Sequence, residues 1–440
     1  MLDQSFSKKN FRIIFDIENR KGFFVEDKFG FSSVRKLTND IKVYGNLAKK
    51  YKKSGDERLT KFFNEVKEVT RKSRSEEVDN ALEAISVKIL ESSFGIRLKQ
   101  IKIPGGSDLY TIDNKAEYFF AIKQVQYNIS RLYGVKQSNR HSIVDQLIKL
   151  LNNKFPKVVI RTDISSFYES IDHQSLSRII NQDNLLNPKS RKIVNSILRD
   201  YKKLSGSNNG IPRGIGVSAY LAELFMRKID SIIKNTPSVS YYARYVDDIV
   251  IIFTPNPNNP NRSYLDEVKN IIEQNSTVKV NPTKTFSVEI TDKKRHTFEF
   301  LGYQFIVQNG TVKTKLTTKK SQKLVSRINK SFNHYTHYSK VNEKEARKIL
   351  VKRIRFLTGN TRLANNKSNI LVGVYYSNSF LTELGDIRHL DNILNSNINR
   401  VPSASLKRRL KKYSFTKGFT EKRFSSFLAS ELKEIMNIWK

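Results

Sequence analysis

Apolar residues recur at helical spacing from Leu59 to Leu98, where Leu59, Phe62, Phe63, Val66 and Val69 form one stripe and Val78, Leu82, Ile85, Ile89 and Leu90 a second, with charged residues between them. The spacing predicts two helices in that stretch. It breaks at Ile103-Pro-Gly-Gly-Ser-Asp-Leu-Tyr110, which reads as a turn between extended pieces and as a boundary. Helical spacing resumes from Ala116 to Leu151, and the β-branched run Val158-Val-Ile160 then predicts a strand that ends in Asp163. From there to about Ile306, strands and helices alternate. Helices are predicted near Gln174 to Ile180 and Ala219 to Ile233, and strands at Tyr242 to Tyr245, Ile249 to Phe253 and Phe298 to Ile306. The segment Pro255-Asn-Pro-Asn-Asn-Pro-Asn261 is too rich in proline to continue a strand and reads as a surface loop. Beyond Gln308 the pattern predicts helices with basic faces, among them Lys319 to Phe332, Glu343 to Leu357 and Phe424 to Trp439. The fold class expected is α+β.

Composition narrows the chemistry. The chain has 440 residues, room for two or three units that each bury a core. It carries 79 Lys and Arg against 42 Asp and Glu, a net charge of +37, which points to a polyanionic partner, although a Lys-, Asn- and Ile-rich composition also follows from base bias in a genome. With no cysteine, disulfides, thiolate zinc sites and cysteine nucleophiles are excluded. His334 and His337 share a helix face but lack a third ligand in sequence, so a solvated face is the expected reading. No stretch approaches the roughly 20 apolar residues that span a bilayer, and no apolar leader opens the chain, so a cytoplasmic protein without a membrane partner is expected.

Three segments carry candidate chemistry. In Tyr241-Tyr-Ala-Arg-Tyr-Val-Asp-Asp-Ile-Val-Ile-Ile-Phe253, two apolar runs are pinched around Asp247 and Asp248; adjacent carboxylates near a core are costly unless a cation joins them. An ordinary hairpin turn is the alternative. Asp163 follows an apolar strand directly and could join the pair, or simply cap the next turn. Three carboxylates from two sheet elements are the usual protein share of a two-metal phosphoryl-transfer site. The third segment, Gly210-Ile-Pro-Arg-Gly-Ile-Gly-Val-Ser218, runs into a helix, and its glycines would let backbone approach a nucleotide or template.

In this order and spacing, from about Tyr133 to Gln308, the motifs resemble a bacterial reverse transcriptase: Asp163 on its strand, Gly210 to Gly214, then Tyr245-Val-Asp-Asp248. Val280-Asn-Pro-Thr-Lys-Thr285 resembles the family's lysine-bearing motif, and Phe300-Leu-Gly-Tyr303 its primer-grip hairpin, which places Leu301, Gly302 and Tyr303 there. The resemblance implies a right-hand polymerase with fingers, palm and a helical thumb. It divides the chain into an N-terminal helical extension (1–105), fingers (106–157), palm with inserted fingers elements (158–308) and a basic thumb region (309–440). It implies RNA as template, DNA as product, deoxynucleotides as substrates, and two Mg2+ ions, with Mn2+ as a substitute. Asp163, Asp247 and Asp248 would hold the metals with Ile164 beside them, Lys284 would approach the triphosphate, and Tyr168, Arg140, Arg213 and Gly214 would lie at the nucleotide. Lys284 and Arg140 also read as surface cations, and Tyr168 as a core aromatic. Relatives often carry glutamine where Arg213 stands, so that contact departs from the pattern.

The segments Arg355-Phe-Leu-Thr-Gly-Asn-Thr-Arg-Leu363 and Val374-Tyr-Tyr-Ser-Asn378 are similar to the antiviral-defence group of bacterial reverse transcriptases, which implies a noncoding RNA partner and either a second reverse transcriptase or a further copy of the chain. Lys407-Arg408-Arg409 and Lys411-Lys412 are expected to grip a nucleic-acid backbone. The alternatives are an RNA-dependent RNA polymerase, template-independent or protein-primed DNA synthesis at the same site, and a catalytically silent RNA-binding scaffold. Tyr168 argues against the first and the three carboxylates against the last.

Overall fold

The computed structural model describes residues 2–182, 184–292, 294–363 and 370–439. The chain forms two compact units, one built from Met1–Gln137, Ile164–Ile233 and Asn270–Val280, the other from Ser138–Asp163, Lys234–Lys269 and Asn281–Lys440. The architecture is mixed α and β, as expected. Among the described residues, no helix is long and apolar enough to cross a membrane.

The first unit is mainly helical. The helices Ser32–Lys53 and Glu57–Leu90 pack along one another, the second opened by Asp56, whose side chain accepts from the Leu59 N–H at 2.9 Å. The second helix corrects the expectation of two helices between Leu59 and Leu98. Residues 71–77 interrupt the apolar stripe, but they include Arg, Lys and Glu, which favour helix, and neither Gly nor Pro breaks it. The expected extended pieces follow as β1 (Leu98–Ile101) and β2 (Leu109–Ile112), antiparallel with Leu98 opposite Ile112. The helix Pro188–Ser205, absent from the sequence expectations, begins with proline in its first turn and the Asn187 cap.

The Gly210–Gly216 loop closes on this framework. The Tyr110 N–H donates to the Arg213 carbonyl at 2.7 Å, and Gly214 has φ +103°, where a Cβ would strike the Tyr110 carbonyl oxygen. A Cβ at Gly210, φ +105°, would strike the Tyr201 ring. The clearance expected to admit a ligand is therefore taken up, at both glycines, by the protein's own β2 and Tyr201.

The second unit is built on a four-stranded antiparallel sheet, order β4-β5-β3-β6: β3 (Lys157–Asp163), β4 (Val239–Tyr245), β5 (Asp248–Phe253) and β6 (Phe286–Ile290). The central strands read as near-continuous apolar runs because both faces are covered, and Ile249 to Phe253 are all buried. On one face, Val159, Val250 and Ile252 pack with Ile143, Val144, Leu147 and Leu151 of the helix Arg140–Leu151. That helix and Ala116–Tyr133 together correct the continuous helical stretch expected from Ala116 to Leu151: Gly134, at φ +65°, ends the first and Asn139 caps the second.

The strand expected over Phe298 to Ile306 is two, β7 (His296–Phe300) and β8 (Tyr303–Gln308), folded back at Leu301 and Gly302, whose φ values are +45° and +75°. Strand β9 (Thr311–Leu316) completes this three-stranded sheet. The region beyond Gln308 is thus not all helix: besides β9 it contains β10 (Asn360–Leu363) paired with β11 (Ile370–Gly373). The last expected helix begins only at Ala429, because the chain from Arg423 to Ser425 is held extended by backbone bonds to Asn360. Buried Asn360 is a hub: its Oδ1 accepts from the Tyr375 N–H at 2.9 Å and its Nδ2 donates to the Gly418 carbonyl at 3.0 Å. His334 lies beside the Tyr338 ring on the helix Thr318–Tyr338.

The packing of Gly214 predicts that Gly214→Ala lowers stability by about 2–4 kcal/mol, since it adds backbone strain and a clash with backbone that cannot rotate away. Chemical denaturation followed by circular dichroism measures this; an unchanged midpoint would mean that the loop does not close on Tyr110.

Candidate active site

The site grows out of strand register. Asp163, the last residue of β3, lies directly opposite Asp248, the first of β5, and alternation puts Arg161 on the same face two residues back. Strands β4 and β5 join through Val246 and Asp247 alone, with Tyr245 opposite Asp248. Val246 has φ +62°, a conformation that costs a β-branched residue energy but fits the tight hairpin turns that match strand twist. The buried Arg244 donates from Nη1 to the Val246 carbonyl at 3.0 Å and so braces this turn from within β4. The expected hairpin tip is there, and the aspartates are at it.

One carboxylate oxygen from each of Asp163, Asp247 and Asp248 lies within 4.8 Å of the others, the one acidic cluster suited to a metal among the described residues. Asp163 is buried. Burial pushes the Asp247 carboxyl above its ordinary range, and the charges of Asp163 and Asp248 push it further, with Lys284 opposing. Two cations partly offset the cluster: Lys284 Nζ lies 2.8 Å from Asp163 Oδ2 and Arg161 Nη2 lies 3.1 Å from Asp248 Oδ1. The bond to Asp163 raises the Lys284 pKa.

The lysine is held there by its loop. The Asn281 N–H donates to the Asp163 carbonyl at 2.6 Å, and Asn281 Nδ2 donates to Asp163 Oδ2 at 3.3 Å. Thr283 Oγ1 bonds Asn281 Oδ1 at 2.8 Å, and the Thr285 and Thr162 hydroxyls meet at 2.8 Å. The segment wraps the end of β3 and holds Lys284 against Asp163 while leaving half of its side chain exposed.

A set made only of carboxylate oxygens, gathered despite mutual repulsion, fits a hard divalent cation such as magnesium, and Asp163, Asp247 and Asp248 could coordinate one. The sequence reading missed Arg161, Arg244 and Asn281. Arg161 was open to inference, since two residues before Asp163 on a strand is the same face; Asn281 stood inside the lysine-bearing motif without a role of its own, and Arg244 acts through a contact that the sequence does not signal.

Arg140 is bound to the β7–β8 turn: its Nε donates to the Leu301 carbonyl at 3.1 Å and its guanidinium lies 5.3 Å from the Tyr303 ring centroid. That turn therefore brings together Arg140, Leu301, Gly302 and Tyr303, with Lys320 Nζ 5.2 Å from the same ring. Burial lowers the Lys320 pKa to about 8, with the Arg140 charge adding to the effect. In the first unit, Ile164 bridges to Val280. Phe167 is buried, Tyr168 is partly exposed, and Arg213 is paired with Glu169. Arg408, Arg409, Lys411 and Lys412 are exposed, and none of the cluster Lys407 to Lys412 forms an ion pair among the described residues.

Residues 111–305 match the family model described as reverse transcriptase (RNA-dependent DNA polymerase), so the chain carries a reverse-transcriptase-like domain. No curated protein matches the chain. Among solved structures, it is similar to apo telomerase from Candida tropicalis truncated from its C-terminal domain, with 16% identity, a TM-score of 0.39, and coverage of 52% of this chain and 56% of that one. It is similar also to Candida albicans telomerase in complex with a TWJ fragment of telomeric RNA, with 12% identity, a TM-score of 0.37, and coverage of 80% and 62%. Apo telomerase from Candida tropicalis gives 14% identity, a TM-score of 0.40, and coverage of 79% and 61%. The chain thus spans 56% to 62% of the length of these three.

Because the Asp247 charge is opposed by its surroundings, Asp247→Asn is expected to stabilise the protein in EDTA by about 0.5–1 kcal/mol and to abolish most of the stabilisation that magnesium confers on the wild type. Thermal unfolding with and without magnesium measures both; destabilisation in EDTA, with the magnesium effect unchanged, would contradict the repulsion described.

Proposed function

We propose that this protein is an RNA-directed DNA polymerase that extends DNA from deoxynucleoside triphosphates. The observation that carries the reading is the convergence of Asp163, Asp247 and Asp248 at the end of two buried strands, inside the segment that matches the reverse-transcriptase family model. The domain and the acidic cluster together support nucleotidyl transfer in general; the choice of RNA template and deoxynucleotide substrate is the finer reading.

In it, the three aspartates hold two magnesium ions, with manganese able to replace them and Ile164 beside the site. When bound, such ions supply activation of the attacking hydroxyl and stabilisation of the leaving pyrophosphate. Lys284 neutralises triphosphate charge or gives a proton to the pyrophosphate in this reading, which its pairing with Asp163 and its half-exposed side chain support. Tyr168 supplies an aromatic face against the sugar, where a 2′-hydroxyl would be both crowded and unpaired. Arg140 and Gly214 lie at the nucleotide in this reading, with Arg140 bonded also to the Leu301 carbonyl of the primer-grip turn and Gly214 in the loop that carries Arg213. The exposed cations of residues 407–412 take the nucleic-acid backbone.

The same reading assigns residues 106–157 to fingers, 158–308 to palm and 309–440 to thumb, and sets the enzyme in bacterial antiviral defence with a noncoding RNA and a second reverse transcriptase or a further copy of itself. The segments that suggest this setting are joined by Asn360, whose amide accepts from the backbone of Tyr375.

Asp248→Asn is expected to fold and to lose nucleotide incorporation by about a hundredfold or more. Incorporation of labelled deoxynucleotides in magnesium, beside circular dichroism of the variant, is the measurement; near-wild-type incorporation by folded Asp248→Asn protein would remove the proposal.

A further inference from the structure

Tyr168 lies in the short helix Phe167–Ser170, and only its neighbour is a core residue: Phe167 is buried, whereas Tyr168 is partly exposed and meets Phe167 edge-on at 5.6 Å. On its other flank, the Arg213 guanidinium lies 5.4 Å from the Tyr168 ring centroid. That guanidinium is not free to wander. Its Nη2 donates to Glu169 Oε2 at 2.9 Å and its Nε lies 2.7 Å from Glu169 Oε1.

Both ends of this contact are anchored. The Arg213 carbonyl accepts from the Tyr110 N–H at 2.7 Å, and Gly214 closes against the Tyr110 carbonyl, so the backbone that carries the arginine is fixed. The Ile211 N–H donates to the Tyr168 carbonyl at 2.8 Å, and the Gly210 N–H to the Ile171 carbonyl at 2.7 Å, so loop and helix are tied beside the ring. About one-third of each charged side chain is exposed, and at that exposure an ion pair contributes little to stability. The pair therefore does little for the fold. Its geometry instead holds a planar cation against one aromatic side chain.

We propose that Arg213, oriented by Glu169, is the positioning residue for Tyr168 and thereby sets how strictly the enzyme excludes ribonucleotides. The inference rests on the proposed polymerase function and on Tyr168 as its sugar-facing residue. It gives Arg213 a role other than direct phosphate binding: the positive charge is already engaged by a carboxylate, and the plane is spent on the ring. Loss of Glu169 would release the guanidinium from the ring and remove one of the contacts that orient it, so that the space it denies to a 2′-hydroxyl would open for part of the time.

The test compares kcat/KM for a deoxynucleotide and its ribonucleotide in the full chain carrying Tyr168→Ala, Glu169→Gln, Arg213→Gln, or the last two together, with thermal unfolding of each. The expected result is a ribonucleotide-to-deoxynucleotide ratio that rises at least tenfold in Tyr168→Ala and about fivefold in Glu169→Gln, in Arg213→Gln and in the double variant alike, because the two charged residues act as one device. If Tyr168→Ala raises the ratio but Glu169→Gln does not, the positioning role is overturned while the polymerase reading stands. If Arg213→Gln raises KM equally for both sugars with the ratio unmoved, Arg213 is a phosphate ligand and the inference is likewise overturned. If Tyr168→Ala itself leaves the ratio unchanged, the failure lies in the assignment of Tyr168, and the inference falls with it. A loss of thermal stability in Glu169→Gln without a change of ratio would make the pair structural, again against the proposal.

Discussion

Three carboxylates held at the buried end of an apolar sheet are the constraint around which the second unit is built. Charges of one sign in such a place repel one another and lose hydration, and the elevated Asp247 pKa records both costs. The sheet tolerates them because β3 and β5 are themselves over-determined: Val158 to Ile160 and Ile249 to Phe253 are buried, and the antiparallel register leaves Asp163 opposite Asp248. A one-residue slip would turn every one of these side chains to the other face, so the apolar packing of Val159, Val250 and Ile252 also fixes the acids.

Partial compensation is arranged from two directions. Arg161 reaches Asp248 from within the sheet, and Lys284 reaches Asp163 from a loop that Asn281 ties to the end of β3. Two cations against three acids leave a net negative focus in a chain whose overall charge is +37. The overall charge favours a polyanionic partner, while the acidic cluster could coordinate a divalent cation. Strain is placed at the same point: Val246 adopts a left-handed conformation that its β-branched side chain disfavours, with Arg244 bonded to its carbonyl.

Much of this site was legible in the sequence. Asp247 and Asp248 between two apolar runs could hardly be anything but a hairpin tip, and the run into Asp163 marked a strand end. What was not legible was set by tertiary contact. Helical spacing suggested two helices where Glu57–Leu90 is one, because residues 71–77 lack apolar positions but keep helix propensity. The apolar pattern alone suggested a single strand over Phe298 to Ile306 because it does not reveal that Leu301 takes a positive φ; only the resemblance at Phe300 to Tyr303 suggested a hairpin there. Arg140 is bonded to the Leu301 carbonyl and Gly214 closes on Tyr110, contacts with residues distant in sequence that no local pattern announces. The residues that brace the acids, Arg161, Arg244 and Asn281, were not singled out by their motifs: the register of β3, β4 and β5 brings in the two arginines, and a backbone bond to the end of β3 brings in Asn281.

The central claim is that this acidic point serves templated synthesis of DNA. Primer extension by the wild-type protein on a defined RNA template, with magnesium and all four labelled deoxynucleotides, tests it most directly. The account predicts a product complementary to the template, degraded by DNase, resistant to alkali and absent in EDTA. An alkali-labile product made equally well from ribonucleotides, or no metal-dependent product on any template, would contradict it.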